Sequence, residues 1–296
     1  MNETKIHTPH DNAGGEDANA LDNLIRLLDL EQIEVNIFRG INNPDKQDRV
    51  YGGQVAAQAM VAAGRTVSHG RIHSIHSYFL LPGDPAVPIL YEVDRIRDGH
   101  SFTTRRVVAI QHGKAIFNLQ ASFHADEPTI IEHHMDMPNV PPPEELQSLH
   151  ERLGSAKIQV SDWLSRPLPV EHRHVTPLPW FKTEPRDAVQ YVWIKADGEL
   201  PEDNLLHSCV IAYASDLSLI STMLLPHVVD WSKMMLASID HCMWFHRPFK
   251  ADDWLLYAMD SPNEYGSRGL ARGSIFTRNG DLVVSVTQEG LTRYVG

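Results

Sequence analysis

The chain has 296 residues, of which 42% are hydrophobic, so it is long enough to bury one large core or two of ordinary size. Acidic residues outnumber basic ones by 38 to 26, and the net charge of −12 argues against general binding to nucleic acid or to anionic membranes. The only cysteines, Cys209 and Cys242, are too few for a disulfide framework and indicate a reducing compartment.

Targeting and metal motifs are not recognisable in the sequence. We find no long apolar span, no signal peptide and no peroxisomal tripeptide at the end, so we expect a cytoplasmic protein that does not span a membrane. Neither HExxH nor CxxC occurs, and we expect no metal and no cofactor. GxSxG is also absent, which argues against a serine-nucleophile hydrolase.

The first half of the chain has an α+β pattern. Residues 1–20 lack an apolar period and are predicted to be a disordered tail. Apolar spacing predicts a helix over 21–30 and a strand over 33–38, and Gly52 and Gly53 precede an alanine-rich helix over 54–63. Four strands are predicted after it, over 73–81, 89–96, 102–111 and 114–124.

A proline-rich stretch separates this half from the next. We interpret residues 127–169 as a linker between an N-terminal domain, 21–126, and a C-terminal domain, 170–296. The second half repeats the order of elements, with a strand, a long helix and four more strands predicted over 190–196, 206–224, 238–247, 254–260, 268–277 and 282–292.

Matching residues support an internal duplication. At an offset of 166 the identities are Leu90 with Leu256, Tyr91 with Tyr257, Asp94 with Asp260, Pro82 with Pro248, Ser101 with Ser267, and Arg106 with Arg272. A repeated unit of this kind should pack against its own copy, so we expect two helix-plus-antiparallel-sheet domains arranged as a pseudo-dimer.

The two copies differ at three polar positions. Asp216 lies at the edge of the apolar stripe of the second helix, and the first helix has no matching acid. Gln288 is an amide on the apolar face of the last strand, where the first copy has Ala121. The third position is Ser238 in the second copy and Ile72 in the first.

Carboxylate, hydroxyl and amide groups can together hold and deprotonate a water molecule. The carboxylate would take the proton while the other two groups fix the position of the water. The alternative is a buried polar network without chemistry, because a buried amide needs hydrogen-bond partners in either case.

Several collinear motifs give the chain a resemblance to a known family. VYGGQVAAQAM, HSIHSYFLLPGDP and RDGHSFTTRRVVAIQHGKAIF in the first half, and YASDL, IDHCMWFHRPF, WLLY and QEGLTR in the second, resemble the acyl-CoA thioesterase II family of two fused hotdog folds. The resemblance implies hydrolysis of fatty acyl-CoA by a water that Asp216, Ser238 and Gln288 activate. It also implies a homo-oligomer, a dimer or tetramer.

Other residues and functions remain open at this stage. The phosphates of CoA suggest Arg247, Arg268 and Arg272 as substrate-binding residues, unless they form ordinary surface ion pairs, and Trp244 could line an acyl channel, unless it belongs to the core. Two alternatives to a thioesterase are an acyl-CoA hydratase or dehydratase and a non-catalytic acyl-CoA binding protein. The hydratase would need a histidine close to the aspartate, and His207 is half a turn out of phase with Asp216.

Overall fold

A computed structural model describes residues 19–42, 48–156, 166–179, 184–230 and 233–296. Most of the predicted disordered tail, and part of the predicted linker, lie outside the described residues.

The first half forms two helices and six strands. Its elements are α1 (Ala20–Leu28), β1 (Glu31–Glu34), β2 (Ile37–Gly40), α2 (Gly52–Gly64), β3 (Arg71–Phe79), β4 (Ile89–Asp98), β5 (Phe102–Gln111) and β6 (Lys114–His124). The predicted helices and the strands from β3 to β6 are therefore confirmed. The strand predicted over 33–38 is wrong: Val35 and Asn36 form the turn of a hairpin between β1 and β2.

The second half repeats this order. Its elements are β7 (Val170–His174), β8 (Val189–Ala196), α4 (Asn204–Ser215), β9 (Met234–Ser238), β10 (Asp240–Phe245), β11 (Leu255–Tyr265), β12 (Arg268–Thr277) and β13 (Leu282–Tyr294). The sequence did not predict β7. The strand predicted over 238–247 is interrupted at Ile239, so Ser238 ends β9 and β10 begins afresh at Asp240.

The long helix predicted over 206–224 is the main correction. α4 ends at Ser215, and after a turn the apolar pattern continues as a short 3₁₀ helix, Ile220–Leu224. Ser215 directs its hydroxyl to the carbonyl of Ala212, and such local bonds compete with further helix formation. Asp216 is consequently the C-terminal cap of α4 rather than a mid-helix residue.

All the strands of the described chain belong to one antiparallel sheet. The strand order is β1-β2-β4-β5-β6-β3-β10-β13-β12-β11-β8-β7, with β9 paired to β13. Where β3 meets β10, His76 pairs with Cys242, its own counterpart at the offset of 166. An approximate two-fold axis therefore passes between these two strands, in agreement with the predicted repeat.

The sheet packs around α2 and α4, which also contact each other. The residues of α2 from Gly53 to Ala63 are all buried, because its alanines let the helix lie close to its neighbours. The helical stretch Asn204–Leu224 is long and apolar enough to cross a membrane, but 72% of its most apolar 18-residue window is buried inside the protein, as in the core helix of a globular domain.

The stretch interpreted as a linker has structure of its own. A 3₁₀ turn, Pro143–Glu145, precedes α3 (Leu149–Ala156). Leu149 and Leu153 of α3 pack with Leu178 in a small cluster separate from the main core. This segment therefore packs against the second half of the chain.

Candidate active site

Asp216 lies where the end of α4 packs beside the start of the antiparallel helix α2. It caps the C-terminus of α4 and faces the first turn of α2, since a Cβ atom at Gly52 would lie only 2.9 Å from its Oδ2 atom. The residue is 9% exposed. The carboxylate is thus nearly buried, with one oxygen directed toward the positive end of the α2 dipole.

Three predicted residues are in direct contact. Nε2 of Gln288 donates hydrogen bonds to Oδ1 of Asp216, at 2.6 Å, and to Oγ of Ser238, at 2.8 Å. Ser238 in turn donates to the same Oδ1 atom, at 3.2 Å. Gln288 is fully buried on the face of β13 that carries Val284 and Val286, as the strand alternation predicted. These contacts hold Oδ1 from two sides and leave Oδ2 toward α2.

The first turn of α2 supplies backbone donors at this point. The N-terminal cap, Tyr51, makes no side-chain capping bond, and its carbonyl accepts from the N–H groups of Gln54 and Val55. Helix geometry leaves the N–H groups of Gly52 and Gly53 without an acceptor within the helix. Gly53 lets the start of α2 pack closely against α4, because a Cβ atom at Gly53 would collide with the carbonyl of Tyr213.

A cavity of about 480 Å³ opens onto Asp216 and Ser238. Its walls come from both halves of the chain, including Val55 and Phe79 from the first and Leu217, Ile220 and Leu236 from the second, with Arg49 also among its lining residues. The site is therefore formed between the two copies rather than inside the second one. An apolar cavity with a few converging polar groups is the usual form of a small-molecule site.

Buried groups stand behind the three polar residues. On β10, His241 is 1% exposed and its Nε2 atom lies 3.0 Å from Oγ of Ser215. Burial lowers the pKa of His241 even though the charges of Asp216 and Asp240 act in the opposite direction, so the imidazole is neutral at pH 7. Burial, followed by the charge of Asp216, raises the pKa of Tyr257, which keeps its hydroxyl protonated.

The structure does not bring the four predicted substrate-binding residues to this cavity. Arg268 and Arg272 are exposed and pair with Glu289 and Asp260. Trp244 lies on the face of β10 opposite to His241 and packs edge-on against His76, with ring centroids 5.2 Å apart.

Arg247, the fourth of these residues, pairs with Glu132 and lines a different cavity. Within the described part of the chain, no group of three or more His, Cys, Asp or Glu side chains could hold a metal ion.

Sequence reasoning missed the contributions of the first half. Gly52 and Gly53 were recognised only as the start of a helix, and Arg49 was not considered. The signal was present in the glycine pair itself, because a helix that begins with two glycines offers unobstructed N–H groups to a ligand. Placing them opposite Asp216 required the antiparallel packing of α2 on α4.

Comparisons with known proteins agree with this architecture. The model of the family described as "Acyl-CoA thioesterase" matches residues 168–291, and that described as "Acyl-CoA thioesterase N-terminal domain" matches residues 42–124. Acyl-CoA thioesterase 2 of Haemophilus influenzae is 41% identical over 283 residues, covering 93% of this chain and 98% of the relative. Acyl-coenzyme A thioesterase 8 of Mus musculus is 41% identical over 282 residues, covering 90% and 88%.

Solved structures give the same result. The acyl-CoA thioesterase II TesB2 of Mycobacterium marinum superposes with a TM-score of 0.76 at 42% identity, covering 92% of this chain and 97% of that one. The fold and the site thus define a double hotdog protein of the thioester hydrolase class. Its sequence and structural relatives show that the chain belongs to the acyl-CoA thioesterase II family.

Proposed function

We propose that this chain hydrolyses fatty acyl-CoA to CoA and a free fatty acid, and that Asp216 activates the attacking water. The observation that carries the proposal is the hydrogen-bonded set of Asp216, Ser238 and Gln288 at the inner end of an apolar cavity. Family membership supports the thioester bond as the target, and the geometry of the set supports the water as the nucleophile.

The two carboxylate oxygens of Asp216 have different tasks in this mechanism. Gln288 and Ser238 hold Oδ1 and so fix the plane of the carboxylate. Oδ2 faces the cavity and accepts the proton of a water that Ser238 also contacts. General-base assistance of this kind is typically worth a factor of about 10² to 10⁴ in rate.

The start of α2 suits the negative charge that develops on the thioester oxygen. The N–H groups of Gly52 or Gly53 would donate to this oxygen, and the helix dipole adds favourable potential at the same place. Removing one such donor costs roughly 3 to 4 kcal/mol in other hydrolases.

The polarity of the lining residues suggests where the acyl chain and the CoA part of the substrate bind. The apolar walls of the cavity, such as Phe79 and Ile220, suit the acyl chain, and Arg49 offers a positive charge to the phosphates of CoA. Arg49 donates to the carbonyl of Leu236. Binding of CoA by Arg247, Arg268 and Arg272, and an acyl contact by Trp244, stay predictions for the part of the substrate outside the cavity.

The hydratase alternative has less support. His207 lies nine residues before Asp216, which is about 13 Å along an α-helix, and its Nδ1 atom accepts a hydrogen bond from the backbone of Ala251. A dehydratase pair would need the imidazole and the carboxylate within reach of two adjacent substrate carbons, one losing its α proton and the other its β hydroxyl. The binding-protein alternative predicts ligand binding without turnover.

Release of CoA thiol from short, medium and long acyl-CoAs tests the proposal. We expect turnover by the wild type and a loss of at least about a hundredfold in kcat for Asp216→Asn and Gln288→Ala, because each removes part of the water-holding set. Both variants should still bind a thioether analogue of acyl-CoA, which has no hydrolysable carbonyl.

The matched control is Asp260→Asn, which makes the same chemical change at an exposed ion pair with Arg272. It should hydrolyse acyl-CoA at the wild-type rate. Full activity of Asp216→Asn would exclude the assignment, and binding of every acyl-CoA without any thiol release would favour a binding protein.

A further inference from the structure

A second and larger cavity lies at the other ends of the two central helices. Its volume is about 930 Å³, and it is lined by the end of α2 at Gly64, the start of α4 at Asn204, the beginning of β3, and residues 123–131 and 245–249. None of the three catalytic candidates lines it.

This cavity is the counterpart of the catalytic one under the internal repeat. Residues 79–83 line the catalytic cavity, and residues 245–249, which match them at the offset of 166, line the second. The strand register supports the match, because His76 pairs with Gln120 as Cys242 pairs with Thr287. The two cavities are therefore built from equivalent segments.

The catalytic groups are missing from the second cavity. Ile72 stands in the place of Ser238 and Ala121 in the place of Gln288. When the first residues of α2 and α4 are aligned, Gly64 corresponds to Asp216. No carboxylate, hydroxyl or amide is thus available at these positions to hold a water.

At the second cavity, the N–H groups at the start of α4 are already hydrogen-bonded to a side chain. The carboxylate of Asp203 accepts hydrogen bonds from the N–H groups of Leu205 and Leu206, whereas the start of α2 has no side-chain cap. A carboxylate in this position would repel the developing oxyanion of a thioester. The cavity can hold a ligand, but it lacks counterparts of the groups that hold a water in the catalytic cavity.

Apolar side chains form part of the walls of this cavity, beside charged and polar ones, and continue to its rim. Ile72, Phe123, Phe245 and Phe249 are among the lining residues, and the rings of the last two stack with centroids 6.5 Å apart. At the rim, Ile130 and Ile131 are 92% and 91% exposed. Exposed isoleucines beside an open apolar cavity gain free energy when an apolar chain covers them.

Charge at this cavity does not single out a phosphate ligand. Arg71 and Arg247 are both in ion pairs, with Asp126 and Glu132. The acids Glu202 and Asp203 also line the cavity. The apolar side chains are therefore the part of this lining that matches the acyl-binding walls proposed for the equivalent catalytic cavity.

We propose that the second cavity binds the acyl chain of a fatty acid or an acyl-CoA without turning it over, so that each chain carries one catalytic and one non-catalytic acyl site. The inference rests on the proposed function, since the chemical class of the ligand is taken from the equivalent catalytic cavity. The first copy has no equivalents of Asp216, Ser238 and Gln288, so the second cavity can bind an acyl chain without activating a water.

Binding stoichiometry tests the inference. Calorimetric titration with a long-chain thioether analogue of acyl-CoA, and separately with a long-chain fatty acid, should show two bound molecules per wild-type chain for at least one of the two ligands. Val67 lines the second cavity and is only half-buried, so Val67→Trp should fill it and reduce the count to one. Leu217→Trp should fill the catalytic cavity instead, and it should also leave one bound molecule per chain, now in the second cavity.

The outcomes distinguish failure of the proposed second acyl site from failure of the proposed hydrolase activity. One molecule per wild-type chain for both ligands, or an unchanged count of two in Val67→Trp with native circular dichroism, would overturn the second site. Binding of free CoA at the second cavity would contradict the acyl class. Two bound molecules in a protein that releases no thiol from any acyl-CoA would instead reject the proposed hydrolase activity and leave the second site standing.

Discussion

The orientation of the Gln288 amide is the least obvious requirement of the site. Only its NH₂ end can donate to both Asp216 and Ser238, so its Oε1 atom must point the other way, where it is buried. The Nδ1 atom of His241 is also buried, and the His241 side chain interacts with Gln288 and with the charge of Asp216. The one proton of the Ser215 hydroxyl can go either to the carbonyl of Ala212 or to Nε2 of His241. In the second case Nδ1 of His241 carries the imidazole proton and can donate to Oε1, which fixes the amide.

A substitution of His241 tests this positioning role. In His241→Leu the Gln288 amide loses the donor that orients it, and we expect kcat to fall about 5- to 30-fold with little change in KM, the equivalent of one lost hydrogen bond. His241→Asn retains an N–H donor and should recover most of the activity. Equal losses in both variants, or a change confined to KM, would argue for a purely structural role of the imidazole.

Gly52 provides a second test at the level of single residues. A Cβ atom there would lie 2.9 Å from Oδ2 of Asp216 and 2.8 Å from Phe79, so Gly52→Ala must displace the carboxylate or the helix start. Because small displacements of reacting groups are costly, we expect kcat to fall at least about tenfold without a loss of stability. The measurement is steady-state thiol release together with a urea unfolding curve.

Gly154 offers the matched control for this change. It lies in α3, and a Cβ atom there would meet nothing within 4 Å. Gly154→Ala should leave the rate of hydrolysis unchanged and should slightly stabilise the helix. A Gly52→Ala protein with wild-type kcat would contradict the close approach of α2 to Asp216.

At the level of single residues, the sequence predicted the three polar residues of the site but not the residues of the first half that surround them. Asp216, Ser238 and Gln288 were identifiable because the two copies differ at these positions, and their hydrogen bonds now show them to be neighbours. Their catalytic role stays a prediction. Gly52 and Arg49 could not be identified in the same way, because their importance depends on which end of α2 faces α4.

Among the elements, β5 and α2 are joined by a buried arginine. Arg105 is 1% exposed and donates to the hydroxyl and the carbonyl of Thr66, just beyond the end of α2. It also pairs with Asp98. Its role in the structure is to anchor the helix to the sheet.

Replacing Arg105 should therefore affect stability. In Arg105→Met the buried groups of Thr66 lose their partner, and we expect the free energy of unfolding in urea to fall by about 1 to 3 kcal/mol. The neighbouring Arg106 is exposed on the other face of β5, 3.7 Å from Asp94, and Arg106→Met should cost less than about 1 kcal/mol. A larger loss for Arg106→Met than for Arg105→Met would contradict this interpretation.

The strands were easier to predict than the helix ends. From β3 to β6 the alternation of apolar and polar residues, together with clear turn residues, gave bounds within two residues of those in the structure. α4 was predicted too long because Leu219, Met223 and Leu224 are also buried, although they lie beyond the helix. Apolar spacing reports burial, and a 3₁₀ turn that packs on the core gives a similar pattern.

For the molecule as a whole, the duplication explains where the site lies. The approximate two-fold axis at the β3 and β10 pairing brings the start of each central helix to the end of the other, so two equivalent cavities arise. Only one retains the carboxylate, the hydroxyl and the amide. The sequence predicted a pseudo-dimer, but it assigned the whole site to the second copy, because single-chain patterns do not show how the copies face each other.

Two properties of the whole molecule stay predictions from the sequence. One is the association of chains into a dimer or tetramer, and the other is a cytoplasmic location.

The central claim is that Asp216 removes a proton from water rather than attacking the thioester itself. Direct attack would form a mixed anhydride on the Asp216 carboxylate, and water would then release the acid in a second step. The two routes differ in the origin of the oxygen atom that enters the product during the first catalytic cycle.

A single turnover in oxygen-18 water, with enzyme in excess over acyl-CoA, distinguishes them most directly. If Asp216 activates water, the fatty acid from the first turnover carries one heavy oxygen, and mass spectrometry of the peptide that contains Asp216 shows none. If water instead opened an anhydride at the carbonyl carbon of Asp216, the first fatty acid would be unlabelled and the heavy oxygen would enter the Asp216 carboxylate in that same turnover, and this result would contradict the account.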